Sequence, residues 1–143
     1  LIVGDGPERV QIEDEIVGSG LANARLLGYR RDARDIIMQS DILALSSDTE
    51  QMPIAVLEAM DAGLPVVSTA VGDVRTMVAP LNAPFVTSSE EAFSSALSTL
   101  IGDGPLRRRI GEANRAKGRA DYSLNGMVKA WQSLLQSQIS AAS

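Results

Sequence analysis

The sequence contains neither cysteine nor histidine among its 143 residues, and aromatic residues account for only 3% of it. Without cysteine there can be no disulfide framework and no thiolate site. Without histidine, the Ser-His-Asp triad, the Cys-His pair and nearly every zinc site are excluded as well. The sequence also lacks any run of about 18 apolar residues, so no segment is predicted to cross a bilayer.

The composition that is present is typical of one packed domain. Hydrophobic residues make up 45% of the chain and charged residues 22%. A chain of this length buries roughly 70% of its unfolded surface when it folds, which is enough for one core but not for two full domains. The apolar fraction is too high for a chain that is mainly disordered.

The charge of the chain is negative overall and unevenly distributed. The net charge is −5, which argues against nucleic acid as a partner. Residues 1–100 contain 6 basic and 15 acidic side chains, whereas residues 101–143 contain 7 basic and 3 acidic ones. We therefore expect a cationic helical C-terminal region, in which Arg108, Arg115 and Arg119 share a helix face, and a solvated face is favoured over a membrane-surface role.

Short apolar runs alternate with helical patterns along the first two thirds of the chain. This alternation predicts an α/β fold, a doubly wound parallel sheet of the Rossmann-like type with a helical C-terminal end. The apolar run at 42–45 is typical of a strand that is buried on both faces. The predicted strands are 1–4, 24–28, 41–46, 65–68 and 84–87. The predicted helices are 8–17, 31–39, 53–62, 73–78, 89–101, 104–120 and 123–139.

The beginning of the sequence resembles the middle of a strand and is not a methionine. We expect the chain to be a fragment of a longer protein. No signal peptide is visible, so a cytoplasmic location is expected, with peripheral membrane contact by the intact protein left open.

In a doubly wound sheet, ligands bind at the carboxyl ends of the strands, so the loops at those ends are candidate sites. The first of them, Gly4-Asp5-Gly6-Pro7-Glu8-Arg9, begins like a dinucleotide-binding fingerprint. However, Arg9 stands where the third glycine belongs, and Pro7 lacks a backbone donor. A tight turn into a helix is the better interpretation of this loop than a nicotinamide or flavin site.

The loop that follows the third predicted strand carries the most informative pattern. Glu50 precedes Pro53, where a helix is predicted to begin, and Glu58 follows five residues later, about 7 Å along the helix axis. The first turn of a helix has unpaired N–H groups and a partial positive charge, and it binds phosphate readily. A sugar, a diphosphate and a ribose in line would meet Glu50, the helix start and Glu58 in that order.

A purely structural role for both glutamates is the alternative. Glu58 and Asp61 could form a solvated helix face, and Glu50 could cap the helix start. Two observations weaken this alternative. The remaining residues of the predicted helix are mostly apolar, and no basic residue lies between Arg34 and Arg75 to pair with a buried carboxylate.

These segments together resemble glycosyltransferase family 4, the retaining, nucleotide-sugar-dependent group 1 transferases with the GT-B fold. The resemblance covers most of residues 1–75, in the order and at the spacing of the family. The segments that carry it are Ser47-Asp48-Thr49-Glu50-Gln51-Met52-Pro53, Leu57-Glu58-Ala59-Met60, Ala62-Gly63-Leu64-Pro65-Val66-Val67-Ser68-Thr69, Leu1-Ile2-Val3-Gly4-Asp5-Gly6-Pro7-Glu8-Arg9, Leu26-Leu27-Gly28-Tyr29 and Ser40-Asp41-Ile42.

The resemblance implies that residues 1–143 form a single donor-binding domain, the C-terminal half of a GT-B enzyme. It implies that the N-terminal acceptor domain and the first strand of this domain are missing. Glu50 would contact the donor sugar as the catalytic residue, and Glu58 would bind the ribose. The residues implied to bind the donor sugar and phosphate are Glu50, Gln51, Met52, Pro53 and Ile54. Those near the base are Gly28, Tyr29 and Arg30, and those near the phosphate loop are Gly4 and Gly6.

The same resemblance implies the partners. The donor substrate would be a nucleotide-diphosphate sugar, no metal or cofactor would be required, and the acceptor glycan or lipid would bind through the missing domain. The cations that stabilise the departing diphosphate in the family lie upstream, so the fragment is expected to be inactive by itself. The sequence also departs from the family, because Gln51 replaces the usual glycine, which could narrow the sugar pocket or disfavour the usual backbone angle.

Two other functions stay open at this point. The same loops could serve a non-catalytic nucleotide-sugar binding module, or, less favoured, a sugar-nucleotide epimerase of related two-domain architecture.

Overall fold

The computed structural model describes residues 1–141, with side chains through residue 137. The described part divides into two compact units, Leu1–Ile36 and the residues from Ile37 onward, and each unit is described by itself. The helices are α1 (Arg9–Gly18), α2 (Ala33–Met38), α3 (Ile54–Ala62), α4 (Val74–Met77), α5 (Glu90–Gly102), α6 (Gly104–Asp121) and α7 (Leu124–Ala141). The strands are β1 (Leu43–Leu45), β2 (Val66–Thr69) and β3 (Val86–Thr87), and a 3₁₀ helix spans Ala83–Phe85.

The second unit contains a parallel sheet in the order β1-β2-β3. Leu43 pairs with Val66 between the first two strands, and Ser68 pairs with Val86 between the second and third. The predicted parallel α/β arrangement is confirmed for this unit. The strand with both faces fully buried is β2, whereas the leucines of β1 are only half-buried, so the expectation for residues 42–45 was wrong.

The first unit does not contain the two strands that the sequence predicts at 1–4 and 24–28. They are reduced to one parallel bridge between Ile2 and Leu26. The Ile2 N–H donates to the Arg25 carbonyl at 2.8 Å, and the Leu27 N–H donates to the Ile2 carbonyl at 2.8 Å. Gly4 has a φ of +136° and Gly28 a φ of +65°, and these angles end the extended backbone on each side.

Apolar side chains cover both faces of the sheet in the second unit. The cluster on the α3 and α4 side includes Val56, Met60, Val66 and Met77, all fully buried. The cluster on the α5 and α6 side consists of Val67, Ala96, Leu100 and Ile110. Because Val66 and Val67 are consecutive, their side chains point to opposite faces of β2, which explains why this strand joins the two clusters.

Two buried asparagines connect β2 to α6. The Asn82 side chain accepts from the Val66 N–H at 2.8 Å and donates to the Val66 carbonyl at 2.7 Å. Opposite Val66 the chain forms a 3₁₀ helix rather than a strand, so the amide of Asn82 takes the place of a neighbouring peptide. Asn114 donates to the Leu64 carbonyl and to Asn82 Oδ1, both at 2.8 Å, and accepts from the Ala79 N–H at 2.9 Å.

Several arginines bind main-chain carbonyls. Arg115 donates to the Asp61 carbonyl at 3.0 Å and to the Ala62 carbonyl at 2.5 Å, which satisfies the C-terminal end of α3. Arg107 donates in the same way to the last turn of α5, at 2.6 Å to the Leu100 carbonyl. Arg108, Arg115 and Arg119 are all exposed, as predicted for a solvated face, and Arg115 in addition caps the C-terminal end of α3. Over the described residues, no helix combines the length and apolar character needed to cross a bilayer.

Candidate functional site

The carboxyl ends of β1, β2 and β3 line a cleft of about 630 Å³ in the second unit. This is the edge at which doubly wound sheets bind ligands. Its lining includes hydroxyl side chains and the carboxylates of Asp48 and Glu90, and none of the described residues that line it is lysine or arginine. The hydroxyl of Thr87, at the end of β3, is buried and has no hydrogen-bond partner among the described residues.

Glu50 lies beside this cleft, in the loop after β1. Its side chain is half-buried, and the hydroxyl of Ser47 donates to Glu50 Oε1 at 2.9 Å. Ser47 is itself one of the cleft-lining residues. This hydrogen bond fixes the direction of the carboxylate and leaves its second oxygen available for a hydroxyl donor.

The N-terminus of α3 has the geometry of an anion site. Pro53 is its N-cap residue, with φ −67° and ψ 121°, and no side chain accepts a hydrogen bond from the first turn. The hydrogen bond of Glu50 is made with Ser47, so Glu50 does not cap this helix by a hydrogen bond among the described residues. The first turn also contains no acidic residue, so nothing in it opposes the partial positive charge of the helix start.

Glu58 lies one turn further along α3. It is half-buried, while the neighbouring Val56, Ala59 and Met60 are fully buried. Among the described residues, no donor or cation contacts the Glu58 carboxylate. Both oxygens of this carboxylate can therefore accept hydrogen bonds from a ligand.

Gln51 fits its position without backbone strain. The residues with positive φ in the described chain are all glycines, so Gln51 adopts an ordinary backbone angle. Its side chain is exposed, and its carbonyl accepts from the Asp73 N–H at 2.8 Å. Met52 and Ile54 also have exposed side chains, so the surface of this loop is open to a ligand.

The first unit brings together two of the predicted loops. The Gly4 N–H donates to the Gly28 carbonyl at 2.9 Å, which joins the predicted phosphate loop to the predicted base region. Arg9 was not predicted to be part of the site. Its guanidinium nevertheless lies beside Gly28, where a Cβ added to the glycine would be 2.9 Å from Arg9 Nη1. This guanidinium forms ion pairs with Asp5, at 3.5 Å between Nη1 and Oδ2, and with Glu13, at 2.9 Å between Nε and Oε1.

The remaining predicted residues of the first unit are exposed. Gly6 has no neighbouring atom within 4 Å of an added Cβ, and the Tyr29 side chain is exposed. Arg30 forms an ion pair with Asp32 at 2.5 Å, and this hydrogen bond lowers the pKa of the Asp32 carboxyl below its usual value. Within residues 1–141, no three acidic side chains come close enough together to hold a metal ion.

Comparison with known proteins identifies the family to which the chain belongs. The model of the family described as Glycosyl transferases group 1 matches residues 1–103. The chain belongs to the group 1 glycosyl transferases. A lipopolysaccharide core biosynthesis glycosyltransferase of Rhizobium meliloti, LpsE, is 28% identical over 96% of this group 1 chain and 41% of its own length. The N-acetyl-alpha-D-glucosaminyl L-malate synthase of Bacillus anthracis is 24% identical over 94% of the chain and 36% of its own length.

Solved structures of glycosyltransferases share the fold of this group 1 chain. The structure of HepE from Anabaena in complex with UDP-glucose superimposes with a TM-score of 0.81 at 25% identity, over 94% of the chain and 40% of HepE. Sucrose-phosphate synthase from Thermosynechococcus elongatus superimposes with a TM-score of 0.81 at 22% identity, over 99% of the chain and 38% of that protein. The predicted GT-B type of α/β fold is thus confirmed. The chain spans less than half the length of these relatives.

Proposed function

We propose that this chain is the donor-binding domain of a longer, retaining glycosyltransferase of family 4 that uses a nucleotide-diphosphate sugar. One observation carries the proposal: Glu50, the uncapped N-terminus of α3 and the unpaired carboxylate of Glu58 follow one another along the same helix and the loop that leads into it. HepE, which binds UDP-glucose, has this fold, and that supports the choice of ligand class.

Each group has a role that its chemistry suits. Glu58 accepts hydrogen bonds from the ribose hydroxyls, because a carboxylate is the strongest acceptor a protein offers to them. The N–H groups of the first turn of α3 bind the diphosphate. Glu50, already oriented by Ser47, accepts a hydroxyl of the donor sugar.

The proposed reaction breaks the bond between the anomeric carbon and the diphosphate oxygen. The acceptor hydroxyl forms its new bond to that carbon on the same face and gives its proton to the departing diphosphate oxygen. Negative charge develops on the departing diphosphate, beside the N-terminus of α3. That charge is stabilised by N–H groups that are already oriented before the reaction begins. Acceptor binding and additional cations would come from other parts of the protein, and we expect this chain alone to bind donor without transferring it.

We expect Glu58→Ala to weaken nucleotide binding about 10- to 100-fold, since hydrogen bonds to a charged acceptor contribute about 1.5–3 kcal/mol. The measurement is calorimetric titration of the full-length protein with UDP, GDP and their glucose and mannose conjugates. Glu112→Ala is the matched control, because it removes an exposed carboxylate from α6. Equal affinities for the two variants would contradict the role of Glu58.

Activity separates a transferase from a binding module. The donor identified by titration is incubated with the full-length protein and an acceptor mixture, and the anomeric configuration of the product is read by NMR. Transfer with retention supports the proposal. Inversion would contradict the retaining mechanism, binding without any transfer would identify a non-catalytic module, and an epimerised free nucleotide sugar would identify an epimerase.

A further inference from the structure

The loop that carries Glu50 is held by the turn that follows β2. We call residues 47–51 the donor loop and residues 69–73 the supporting turn. The hydroxyl of Thr69 donates to the Ser47 carbonyl at 2.6 Å, at the start of the donor loop. The Asp73 N–H donates to the Gln51 carbonyl at 2.8 Å, at its end. The supporting turn therefore contacts both ends of the donor loop.

Gly72 lies directly against the donor loop. A Cβ added to Gly72 would overlap the Gln51 carbonyl oxygen and lie 2.5 Å from the Glu50 carbonyl oxygen. The φ of Gly72 is +48°, in the left-handed region that side chains other than glycine rarely adopt. A glycine is required here both by the space and by the backbone angle.

The supporting turn is itself fixed to the core. Within the turn, the Val71 N–H donates to the Thr69 carbonyl at 2.9 Å. Directly after it, the Met77 N–H donates to the Asp73 carbonyl at 2.9 Å, and the side chains of Val74 and Met77 are fully buried. Because the residues directly after the turn are anchored in the core, we expect a displacement at Gly72 to be taken up by the donor loop.

We infer that Thr69 and Gly72 are positioning residues, which set the location of Glu50 through main-chain contacts with the donor loop. The inference rests on the proposed function, because it gives Glu50 its role toward the donor. Gly72 is not among the residues that line the cleft, and the Thr69 hydroxyl, which is at the cleft, is already donated to the Ser47 carbonyl. Their effect passes through the backbone of residues 47–51 to a carboxylate whose direction is already fixed by Ser47.

The test is a double-mutant cycle on donor affinity in the full-length protein, with UDP-glucose as the probe, or GDP-mannose if that donor binds more tightly in the titration series. We expect Gly72→Ala to lower donor affinity about tenfold when Glu50 is present, and less than twofold in a Glu50→Gln background. A merely structural role would give the same factor in both backgrounds, because it would not depend on the Glu50 carboxylate.

Two further variants keep the test decisive if Gly72→Ala folds poorly. Thr69→Val removes only the hydroxyl that binds the Ser47 carbonyl and should lower donor affinity, whereas Thr69→Ser keeps that hydroxyl and should restore it. Gly102→Ala is the control glycine, since nothing lies within 4 Å of its added Cβ. Equal affinities of the Val and Ser variants would overturn the inference. The inference would also be overturned if Glu50→Gln bound the donor normally while Gly72→Ala did not. That result would in addition show that Glu50 does not have its proposed role toward the donor.

Discussion

Gly111→Ala should destabilise the protein by about 3 kcal/mol and lower its Tm by about 10 °C, because α6 contacts the end of α3 at this glycine. A Cβ at position 111 would overlap the Gly63 carbonyl oxygen and lie 2.7 Å from the Gly63 carbonyl carbon. Both groups are backbone, and Gly63 is fixed in the left-handed conformation that ends α3. The two helices would have to separate, and the buried contacts between them would be lost.

Gly118→Ala is the matched control in the same helix. Its added Cβ would lie 3.5 Å from the Met60 Cβ, an ordinary van der Waals distance. Alanine in place of a helical glycine contributes about 0.5–1 kcal/mol of stability, so this variant should be neutral or more stable. Calorimetry on both variants measures the difference in Tm. Similar Tm values for the two would show that α6 and α3 do not pack in the observed way.

Asn114→Ala should reduce the free energy of unfolding by about 4 kcal/mol, since it leaves several buried polar groups unpaired and opens a small cavity. The Ala79 N–H and the Leu64 carbonyl would each lose the hydrogen bond they make with Asn114. Asn82 would keep its two bonds to Val66 but lose its contact with α6. This loss is a large share of the 5–15 kcal/mol by which domains are ordinarily stable.

Urea denaturation followed by circular dichroism measures this effect. Asn125→Ala provides the control, because Asn125 is exposed on α7. We expect the urea midpoint to fall strongly for the Asn114 variant. For the control, the free energy of unfolding should stay within about 0.5 kcal/mol of that of the unmodified protein. The same midpoint for both variants would mean that the buried asparagine pair contributes no net stability.

The sequence predicts those features that depend on neighbours along the chain. Pro53 and Gly63 flank an apolar run, and α3 begins and ends beside them as predicted. The apolar segment at 65–68 likewise predicts β2. In the first unit the same reasoning was wrong, since the apolar residues at 1–3 are exposed and the two predicted strands are reduced to one bridge between Ile2 and Leu26.

Contacts between distant residues could not be predicted from one sequence. Asn82 and Asn114 are 32 positions apart, and nothing in either local pattern indicates a buried pair. Arg115 lies in an exposed cationic segment, and nothing in that local pattern indicates its hydrogen bonds to carbonyls more than 50 positions earlier. For the candidate site, the paired glutamates are visible in the sequence, whereas the contact of Gly72 with the donor loop appears only when β1 and β2 are placed side by side.

The contacts between the supporting turn and the donor loop have a consequence for how this protein can change over evolutionary time. The hydroxyl of Thr69 and the amide of Asp73 bind carbonyl oxygens, which every residue type possesses. The side chains of Gln51 and Met52 take no part in these bonds and are exposed. Substitutions at these two positions can therefore accumulate, or be introduced in a library, while the path of the loop is retained. The side chains that the loop presents and the path of its backbone can therefore vary independently of each other.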